Sequence, residues 1–354
     1  MGSMWDMVKP ALLMVSVQIV FSACNVLYKL AIFDGMSTIV ITAYRLAFAA
    51  ITTIPFALLF ERKRPKMTWR VFFLSLLSGL FIGTLFQNLF YGALVLASAT
   101  LVSAIFNLIP AITFALAVCF GLEKLNWGAP TGKAKVIGTI VGLAGALLLT
   151  FYKGVEFDIW PFHINLLEPK DNQIERVTDT TSELLGVLCA VVSCFCFSIW
   201  LIIQAKISEL YPYPQSSIAL MCVIATIQSF ILGFIVESDL NQWKLGWDIR
   251  LLTVAFSGIG ASGIMYLAMA WVVQTKGPLY TSAFNPIMLL IVAIVASMIL
   301  DEKLNLGSIL GGMLIVCGLY AVLWGKGREI QKKNILETFK ADGDPEATKP
   351  LLSP

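Results

Sequence analysis

Long apolar runs separated by short polar stretches make up most of the chain. The runs are mostly apolar all round rather than on one face, as expected for helices that contact lipid and each other. Each is close to the length of about 20 residues with which an α-helix crosses a bilayer. The pattern predicts an all-α integral membrane protein with ten transmembrane helices, at residues 10–30, 38–60, 70–91, 99–121, 134–152, 184–205, 214–236, 249–273, 279–300 and 306–324.

Polar and glycine positions in the first five runs recur in the same order in the last five. Asn107 aligns with Asn285, and a proline follows each of them, at Pro110 and Pro286. Because each copy has five runs, an odd number, the second copy must enter the membrane from the opposite side. An inverted repeat of this kind is typical of transporters that alternate access around a midplane site. Further matches pair Ser103 with Thr281, Gly79 with Gly258, Gly138 with Gly311 and Gly145 with Gly318.

The repeat and the loop charges predict four parts of the chain and their sides of the membrane. The parts are five-helix repeats at 8–153 and 184–326, an acidic extracytoplasmic loop at 154–183 and a cytoplasmic tail at 327–354. Lysine and arginine are concentrated in cytoplasmic loops of membrane proteins. With the N-terminus inside, 17 of the 25 basic residues fall on the cytoplasmic side, seven fall outside, and Arg45 lies within a run. Both termini are therefore predicted to be cytoplasmic.

Composition narrows the function classes further. With 58% hydrophobic residues, 13% charged residues and a mean hydropathy of +0.82, the chain is too apolar for a soluble domain. The net charge of +3 is small and the basic residues border the membrane, so no nucleic-acid partner is predicted. The seven cysteines all lie in apolar runs and the single histidine, His163, lies in a loop. We therefore predict no disulfide framework, no metal or cofactor site and no enzyme activity.

Several short motifs carry a family resemblance. They are NVLYK at 25–29, YR at 44–45, LFQNLFY at 85–91, ATLVS at 99–103, IFNLIPAITF at 105–114, FYKG at 151–154, GP at 277–278 and FNP at 284–286. On these motifs, residues 8–326 resemble the plant EamA-domain transporters of the drug/metabolite superfamily, in the nodulin-like UMAMIT group that includes the walls-are-thin auxin exporter. The resemblance implies two EamA repeats and the movement of small organic solutes, often amino acids or auxin-like compounds.

Arg45 is the ionisable side chain of most interest within a run. It lies about 10 Å into the second run at a rise of 1.5 Å per residue. Its guanidinium stays charged and has the fork geometry that holds a carboxylate by two hydrogen bonds. No Asp or Glu lies mid-run to pair with it. A solute carboxylate, backbone carbonyls or snorkelling to the outer surface must therefore satisfy the charge.

A solute path also needs hydrogen-bonding and aromatic side chains that face the bundle interior. Asn25 and Tyr28 lie one helical turn apart and share a face, as do Gln87 and Tyr91. A proline near an asparagine frees a backbone carbonyl that can line a cavity. The predicted substrate-binding residues are Asn25, Tyr28, Arg45, Gln87, Asn88, Tyr91, Asn107, Pro110, Gln204, Tyr266, Trp271, Asn285 and Pro286.

These features favour a transporter of small amphipathic solutes, such as amino acids or auxin-like acids, working by alternating access in the plasma or vacuolar membrane. The lack of a mid-run carboxylate favours facilitated rather than proton-coupled movement. The alternatives are a non-transporting membrane receptor or scaffold, a proton-coupled carrier and a nucleotide-sugar carrier. Glycines at 138, 142 and 145 in run five, and at 307, 311 and 318 in run ten, permit close helix contact, either within the chain or in a homodimer.

Overall fold

A computed structural model of the protein describes residues 2–97, 99–123, 128–152, 154, 156–157, 180–239, 241–291 and 304–341. Within this part of the chain, eight helices are long and apolar enough to cross a bilayer. Two shorter apolar helices, Ala104–Cys119 and Pro278–Ile291, occupy the places of the fourth and ninth predicted runs. The predicted all-α membrane fold is confirmed, and the arrangement is consistent with ten spans. His163, most of the acidic loop and the end of the tail lie outside the described residues.

The first half of the chain contains the first five spans. They are α1 (Gly2–Phe33), α2 (Thr38–Phe60), the third span of α3 (Trp69–Ser78), a π-helical segment (Gly79–Leu85) and α4 (Phe86–Leu96), the fourth span of α5 (Ala99–Phe106) and α6 (Ile109–Cys119), and α7 (Pro130–Phe151). A two-residue strand, β1 (Glu156–Phe157), follows the fifth span.

The second half repeats this order. The sixth and seventh spans are α8 (Thr180–Leu210) and α9 (Pro214–Val236). The eighth span consists of α10 (Ile249–Phe256), a π-helical segment (Ser257–Met265) and α11 (Tyr266–Lys276). The ninth begins with α12 (Pro278–Ser282) and continues as α13 over 285–291, and after β2 (Leu304–Asn305) the tenth is α14 (Leu306–Ala341). The strands pair antiparallel, Glu156 with Asn305 and Phe157 with Leu304.

The helix of the tenth span, α14, is longer than the apolar run predicts. The run ends at residue 324, but α14 continues through the charged sequence that follows, as far as Ala341. Lysine, glutamate and glutamine are good helix formers, so the loss of hydrophobicity ends the membrane segment without ending the helix. The end of the apolar run therefore marks the border of the membrane and does not mark the end of the helix.

Matching irregularities interrupt the third and eighth spans. Each contains one π-helical segment, and Gly79 in the first corresponds to Gly258 in the second. Both segments pack tightly against the other half of the molecule. A Cβ on Gly83 would lie 2.5 Å from the Cβ of Ala225, and one on Gly258 would lie 2.6 Å from the carbonyl oxygen of Arg45. The wider turns therefore occur where two helix backbones approach closely.

The fourth and ninth spans are broken at equivalent points. A turn separates α5 from α6 at residues 107–108, next to Pro110, and another separates α12 from α13 at residues 283–284, next to Pro286. Proline cannot donate the backbone hydrogen bond that would continue the helix. The sixth span covers the first break, because Cys194 Sγ donates to the Ile105 carbonyl at 3.5 Å.

The two halves pack through equivalent helix pairs. The second span contacts the seventh, the fifth contacts the tenth, and each π-segment packs on the second span of the opposite half. Glycines bring the fifth and tenth spans together, since a Cβ on Gly138 would lie 2.6 Å from the Gly318 carbonyl and one on Gly311 would lie 2.6 Å from the Gly145 carbonyl. These glycines thus serve packing within one chain, and the predicted homodimer stays a prediction.

A buried ionic cluster joins the fourth, fifth and tenth spans at one end of the bundle. Lys135 Nζ lies 3.0 Å from a carboxylate oxygen of Glu123 and 2.7 Å from one of Glu329, and Lys326 pairs with the other oxygen of Glu123. Lys135 and Glu123 are both buried. Gly277, with φ 91°, starts the ninth span beside the cluster. Four charges of alternating sign therefore connect the ends of these spans.

Candidate functional site

A cavity of about 220 Å³ lies between the two halves. Side chains from both halves form its wall, and most of that wall is apolar or aromatic. The polar groups are a few amides, two tyrosines and one guanidinium, an arrangement typical of small-molecule sites. The lining residues are Gln18, Phe21, Cys24, Asn25, Tyr28, Ile32, Arg45, Phe86, Gln87, Phe90, Leu94, Val102, Phe106, Asn107, Ile109, Phe197, Tyr266, Asn285, Met288 and Leu289.

One face of α1 forms a continuous strip of this wall. Gln18, Phe21, Asn25, Tyr28 and Ile32 follow one another at alternating spacings of three and four residues, which places them on one side of the helix. At 1.5 Å per residue the strip is about 20 Å long. The cavity therefore extends from the middle of α1 towards the helix end that lies near residue 32.

Arg45 on α2 is held inside the bundle by neutral side chains. Its side chain is buried, with 5% of the residue exposed. Nε donates to Ser262 Oγ at 2.5 Å and Nη1 donates to Gln87 Oε1 at 2.9 Å. The guanidinium carbon lies 5.5 Å from the centre of the Tyr28 ring, a cation–π distance. Neutral partners thus hold the guanidinium in the interior, and it does not snorkel to the surface.

The guanidinium has no carboxylate partner among the described residues. The bonds to Ser262 and Gln87 occupy two of its five N–H groups. Because Arg45 also lines the cavity, the remaining donors are within reach of a bound solute. An ionised carboxylate or phosphate is the acceptor that a guanidinium binds most strongly.

Gln87 and Tyr266 connect the two halves at the cavity wall. Gln87 Nε2 donates to Tyr266 Oη at 3.2 Å, while its oxygen accepts from Arg45. Each residue lies in the first turn of the helix that follows a π-helical segment, Gln87 in α4 and Tyr266 in α11, so the two occupy similar places in the two halves. Trp200 packs on Tyr266 with ring centres 5.3 Å apart and supports this junction.

The repeat-related asparagines at the two helix breaks, Asn107 and Asn285, both line the cavity. Gln18 Nε2 donates to Asn285 Oδ1 at 3.4 Å. Near the same place, Asn25 Nδ2 approaches Met288 Sδ at 3.6 Å. The broken helices therefore present amides to the cavity from opposite halves of the chain.

Seven of the 13 residues predicted from the sequence line the cavity: Asn25, Tyr28, Arg45, Gln87, Asn107, Tyr266 and Asn285. The other six lie elsewhere. Tyr91 is buried behind the wall, with its ring centre 5.2 Å from that of Tyr28. Asn88 donates to the backbone of its own helix at 2.7 Å. The prolines Pro110 and Pro286 shape the helix breaks, but neither lines the cavity.

Gln204 and Trp271 also lie away from the cavity. Gln204 Nε2 donates to Ser217 Oγ at 3.3 Å, in the contact between the sixth and seventh spans. The ring of Trp271 faces Lys9, whose Nζ lies 5.1 Å from the ring centre. Both side chains thus serve contacts between helices, a role that a mid-span polar residue commonly has.

Several lining residues are not predicted from the sequence, among them Gln18, Phe21, Phe197 and Met288. Gln18 had a signal, because it continues the helical face of Asn25 and Tyr28 by two turns. Phe197 and Met288 had none, since an apolar side chain on an all-round apolar helix gives no indication of which face meets a cavity.

Comparison with known proteins agrees with this architecture. The model of the EamA-like transporter family matches residues 8–151 and again residues 184–324. Two WAT1-related proteins of Arabidopsis thaliana are similar to the chain. One is 41% identical over 92% of this chain and 91% of its own length, and the other is 40% identical over 91% and 90%. A solved crystal structure matches with a TM-score of 0.64 and 17% identity, covering 89% of this chain and 97% of its own, which shows a shared fold.

The family matches account for both halves of the molecule and for the membrane-spanning helices. A transporter fold also explains why polar side chains from both halves surround one cavity within the membrane. The protein is therefore a membrane transporter rather than an enzyme, and the chain belongs to the EamA-like transporter family.

Proposed function

We propose that this transporter moves small amphipathic organic acids, such as amino acids or auxin-like acids, by facilitated alternating access. The observation that carries the proposal is the environment of Arg45. A permanent positive charge lies on the wall of an intramembrane cavity, and its described partners are neutral. A charge at this depth is costly unless it is compensated, so a solute carboxylate would complete the site.

The size and surface of the cavity support a small, partly apolar solute. Its volume of about 220 Å³ is below the range of roughly 300–1,000 Å³ that suits drug-sized ligands. Phe21, Phe86, Phe90, Phe106 and Phe197 supply aromatic surface around the polar end. An acid with an aliphatic or aromatic body would place its carboxylate on Arg45 and its body among these rings. A nucleotide sugar fits less well, because its diphosphate calls for several basic groups.

The cavity also supports alternating access from an outward-facing state. The cavity reaches Ile32 near the end of α1 and Leu94 near the end of α4. Basic residues are concentrated in the loops at the opposite ends of these helices, so these two ends are assigned to the extracytoplasmic side. The ionic cluster around Glu123 and Lys135 joins the spans at the opposite end, which the same rule assigns to the cytoplasm. The equivalent broken spans, the fourth and ninth, would exchange roles as access alternates.

The same proposal covers coupling and location. The lining residues include no Asp or Glu, so proton coupling through a cavity carboxylate is the less favoured mode. Both termini are assigned to the cytoplasm, and the protein to the plasma or vacuolar membrane. The predicted parts of the chain, 8–153, 154–183, 184–326 and 327–354, stand as two inverted repeats, an outer loop and an inner tail.

Efflux of radiolabelled amino acids and auxin from oocytes tests the proposal. Wild-type protein should release at least one of these acids, whereas Arg45→Gln should lose the flux while reaching the membrane in normal amount. Arg70→Gln makes the same change on the exposed surface and should transport normally. Normal acid flux through Arg45→Gln would remove this residue from the site, and no flux of any amphipathic acid through the wild type would contradict the proposal.

A further inference from the structure

A second concave surface lies away from the solute cavity, between α2 and α9. This groove has a volume of about 460 Å³ and is lined by Ile54, Ala57, Leu58, Arg64, Pro65, Lys66, Met67, Tyr211, Ser216, Ala219, Leu220 and Val223. Its floor is apolar, and the loop after α2 forms its rim. The two helices belong to different halves of the protein. Anything that fills the groove therefore contacts both halves.

Exposed aliphatic side chains form the floor of the groove. Leu58 is 54% exposed and Ile54, one turn deeper along α2, is 39% exposed. Leu220 and Val223 on α9 face them and are half-buried. A strip of exposed aliphatic side chains beside a membrane-spanning helix is a surface for an acyl chain rather than for a water-soluble ion.

The rim carries positive charge. Arg64 and Lys66 both line the groove and are both exposed. Arg64 Nη1 donates to Ser216 Oγ at 3.0 Å, which fixes the side chain over the opening. Lys66 makes no ion pair within the described part of the chain. The positively charged side chains of Arg64 and Lys66 therefore lie at the polar edge of an apolar groove.

The first turn of α9 is not itself the anion site. Glu61 accepts hydrogen bonds there from the backbone N–H of Gln215 at 3.1 Å and of Ser216 at 2.7 Å. This carboxylate occupies the N-terminal donors and braces the loop against α9. Tyr211 Oη donates to the Pro65 carbonyl at 3.5 Å, and burial raises the pKa of this hydroxyl, so it stays a donor. The loop is thus held in place, and the charges of Arg64 and Lys66 remain for a ligand.

The neighbouring aromatic residues indicate the depth of the rim. Trp69 at the start of α3 is 77% exposed and stacks on Phe72 with ring centres 5.3 Å apart. Exposed tryptophan is enriched at the level of the lipid headgroups. Arg64 and Lys66 precede Trp69 by only a few residues. The rim therefore lies at headgroup level while the floor lies in the hydrocarbon.

We propose that this groove binds an anionic phospholipid. Its phosphate lies between Arg64 and Lys66, and one acyl chain lies along Ile54 and Leu58. Basic pockets between transmembrane helices on the cytoplasmic side recognise such headgroups. The lipid would link the second and seventh spans, and the second span carries Arg45. The proposal does not depend on the identity of the transported solute.

Native mass spectrometry of the full-length protein, released from neutral detergent, tests the proposal. The probes are dioleoylphosphatidylserine, the zwitterionic dioleoylphosphatidylcholine, and inorganic phosphate as a competitor. The groove variant combines Arg64→Gln with Lys66→Gln. The control combines Arg62→Gln with Lys63→Gln, which removes the same charge from the same loop at two residues that do not line the groove. A third variant, Arg64→Lys with Lys66→Arg, keeps the charge.

Phosphatidylserine should bind more tightly than phosphatidylcholine. The groove variant should lose about 25-fold in affinity, at about fivefold per basic residue near the membrane, and the charge-preserving variant should retain binding. The control should lose about fivefold or less, since its charges act only at a distance. Equal losses in the groove and control variants would overturn the proposal, as would equal binding of both lipids. Displacement of the lipid by millimolar phosphate would show a free-anion site instead.

Discussion

Burying the charged guanidinium of Arg45 in the membrane costs free energy, and its neutral partners recover only part of that cost. Placing an arginine at the centre of a membrane helix costs about 2.5–3.5 kcal/mol on insertion scales. Bonds to Ser262 and Gln87 and the Tyr28 ring offset part of that cost with neutral groups. Neutral partners leave the positive charge in place, whereas a protein carboxylate would cancel it. The residue is therefore suited to receive a negative charge that arrives with the solute.

Gln87→Glu should separate folding from transport. The new carboxylate would lie where Gln87 Oε1 now accepts from Arg45 at 2.9 Å, and it would pair with the guanidinium. We expect a folded protein whose acid flux is at least about tenfold lower, the factor that corresponds to about 1.4 kcal/mol. Asn88→Asp adds the same charge one residue away and outside the cavity wall, so its flux should fall much less. Flux measurements on the three proteins decide, and undiminished flux in Gln87→Glu would contradict the role of Arg45.

At the scale of helices, the glycines of α7 and α14 set how closely the fifth and tenth spans approach. Between membrane helices there is little hydrophobic driving force, so close van der Waals contact carries much of the association. A Cβ on Gly318 would lie 2.4 Å from the backbone nitrogen of Gly142, closer than any real Cβ contact. A Cβ on Gly142 would meet no atom within 4 Å. Two glycines of one contact thus differ sharply in their tolerance of a side chain.

Gly318→Ala should therefore destabilise the protein, and Gly142→Ala should not. Overpacking of this kind typically costs about 1–3 kcal/mol, whereas alanine in an open helical position gains up to about 1 kcal/mol over glycine. Thermal unfolding in detergent should show a lower midpoint for Gly318→Ala only. Equal midpoints for the two variants would mean that α7 and α14 do not pack through this face.

The sequence predicts where the helices lie better than it predicts where they are distorted or which side of each helix faces the cavity. Asparagine and proline indicate the breaks at Asn107 and Pro286, because proline removes a backbone donor at a known position. The π-segments contain no proline. They lie where a helix packs closely against the other half of the molecule, a contact that the linear order of apolar and polar residues does not show. Gln204 is polar and mid-span like Gln87, yet it contacts Ser217 instead of the cavity. Which polar residue faces a cavity is decided by helix rotation in the assembled bundle.

For the whole molecule, the proposed outward-facing state makes a prediction about water access. Asn25 lines the cavity, and the adjacent Val26 is 49% exposed on the outer surface of the bundle. Because Cys24 also lines the cavity, both variants are made in a Cys24→Ser background. In that background Asn25→Cys should react with a membrane-impermeant thiol reagent added from outside, because the cavity reaches that side. Val26→Cys faces lipid and should react no more than the Cys24→Ser protein. Labelling of Asn25→Cys only from the cytoplasmic side would reverse the proposed orientation.

A cavity that holds its solute through Arg45 should select a carboxylate over a neutral amide, and counterflow into proteoliposomes measures that selectivity. Proteoliposomes that contain the purified wild-type protein are loaded with an unlabelled acid. Uptake of the labelled acid is then compared with uptake of its labelled carboxamide. The two solutes have nearly the same size and apolar body, so they differ chiefly in the charge that would bind Arg45. We predict exchange of the acid at least about tenfold faster than exchange of the amide, a difference of about 1.4 kcal/mol. Equal exchange of the two solutes would mean that the cavity does not recognise a carboxylate.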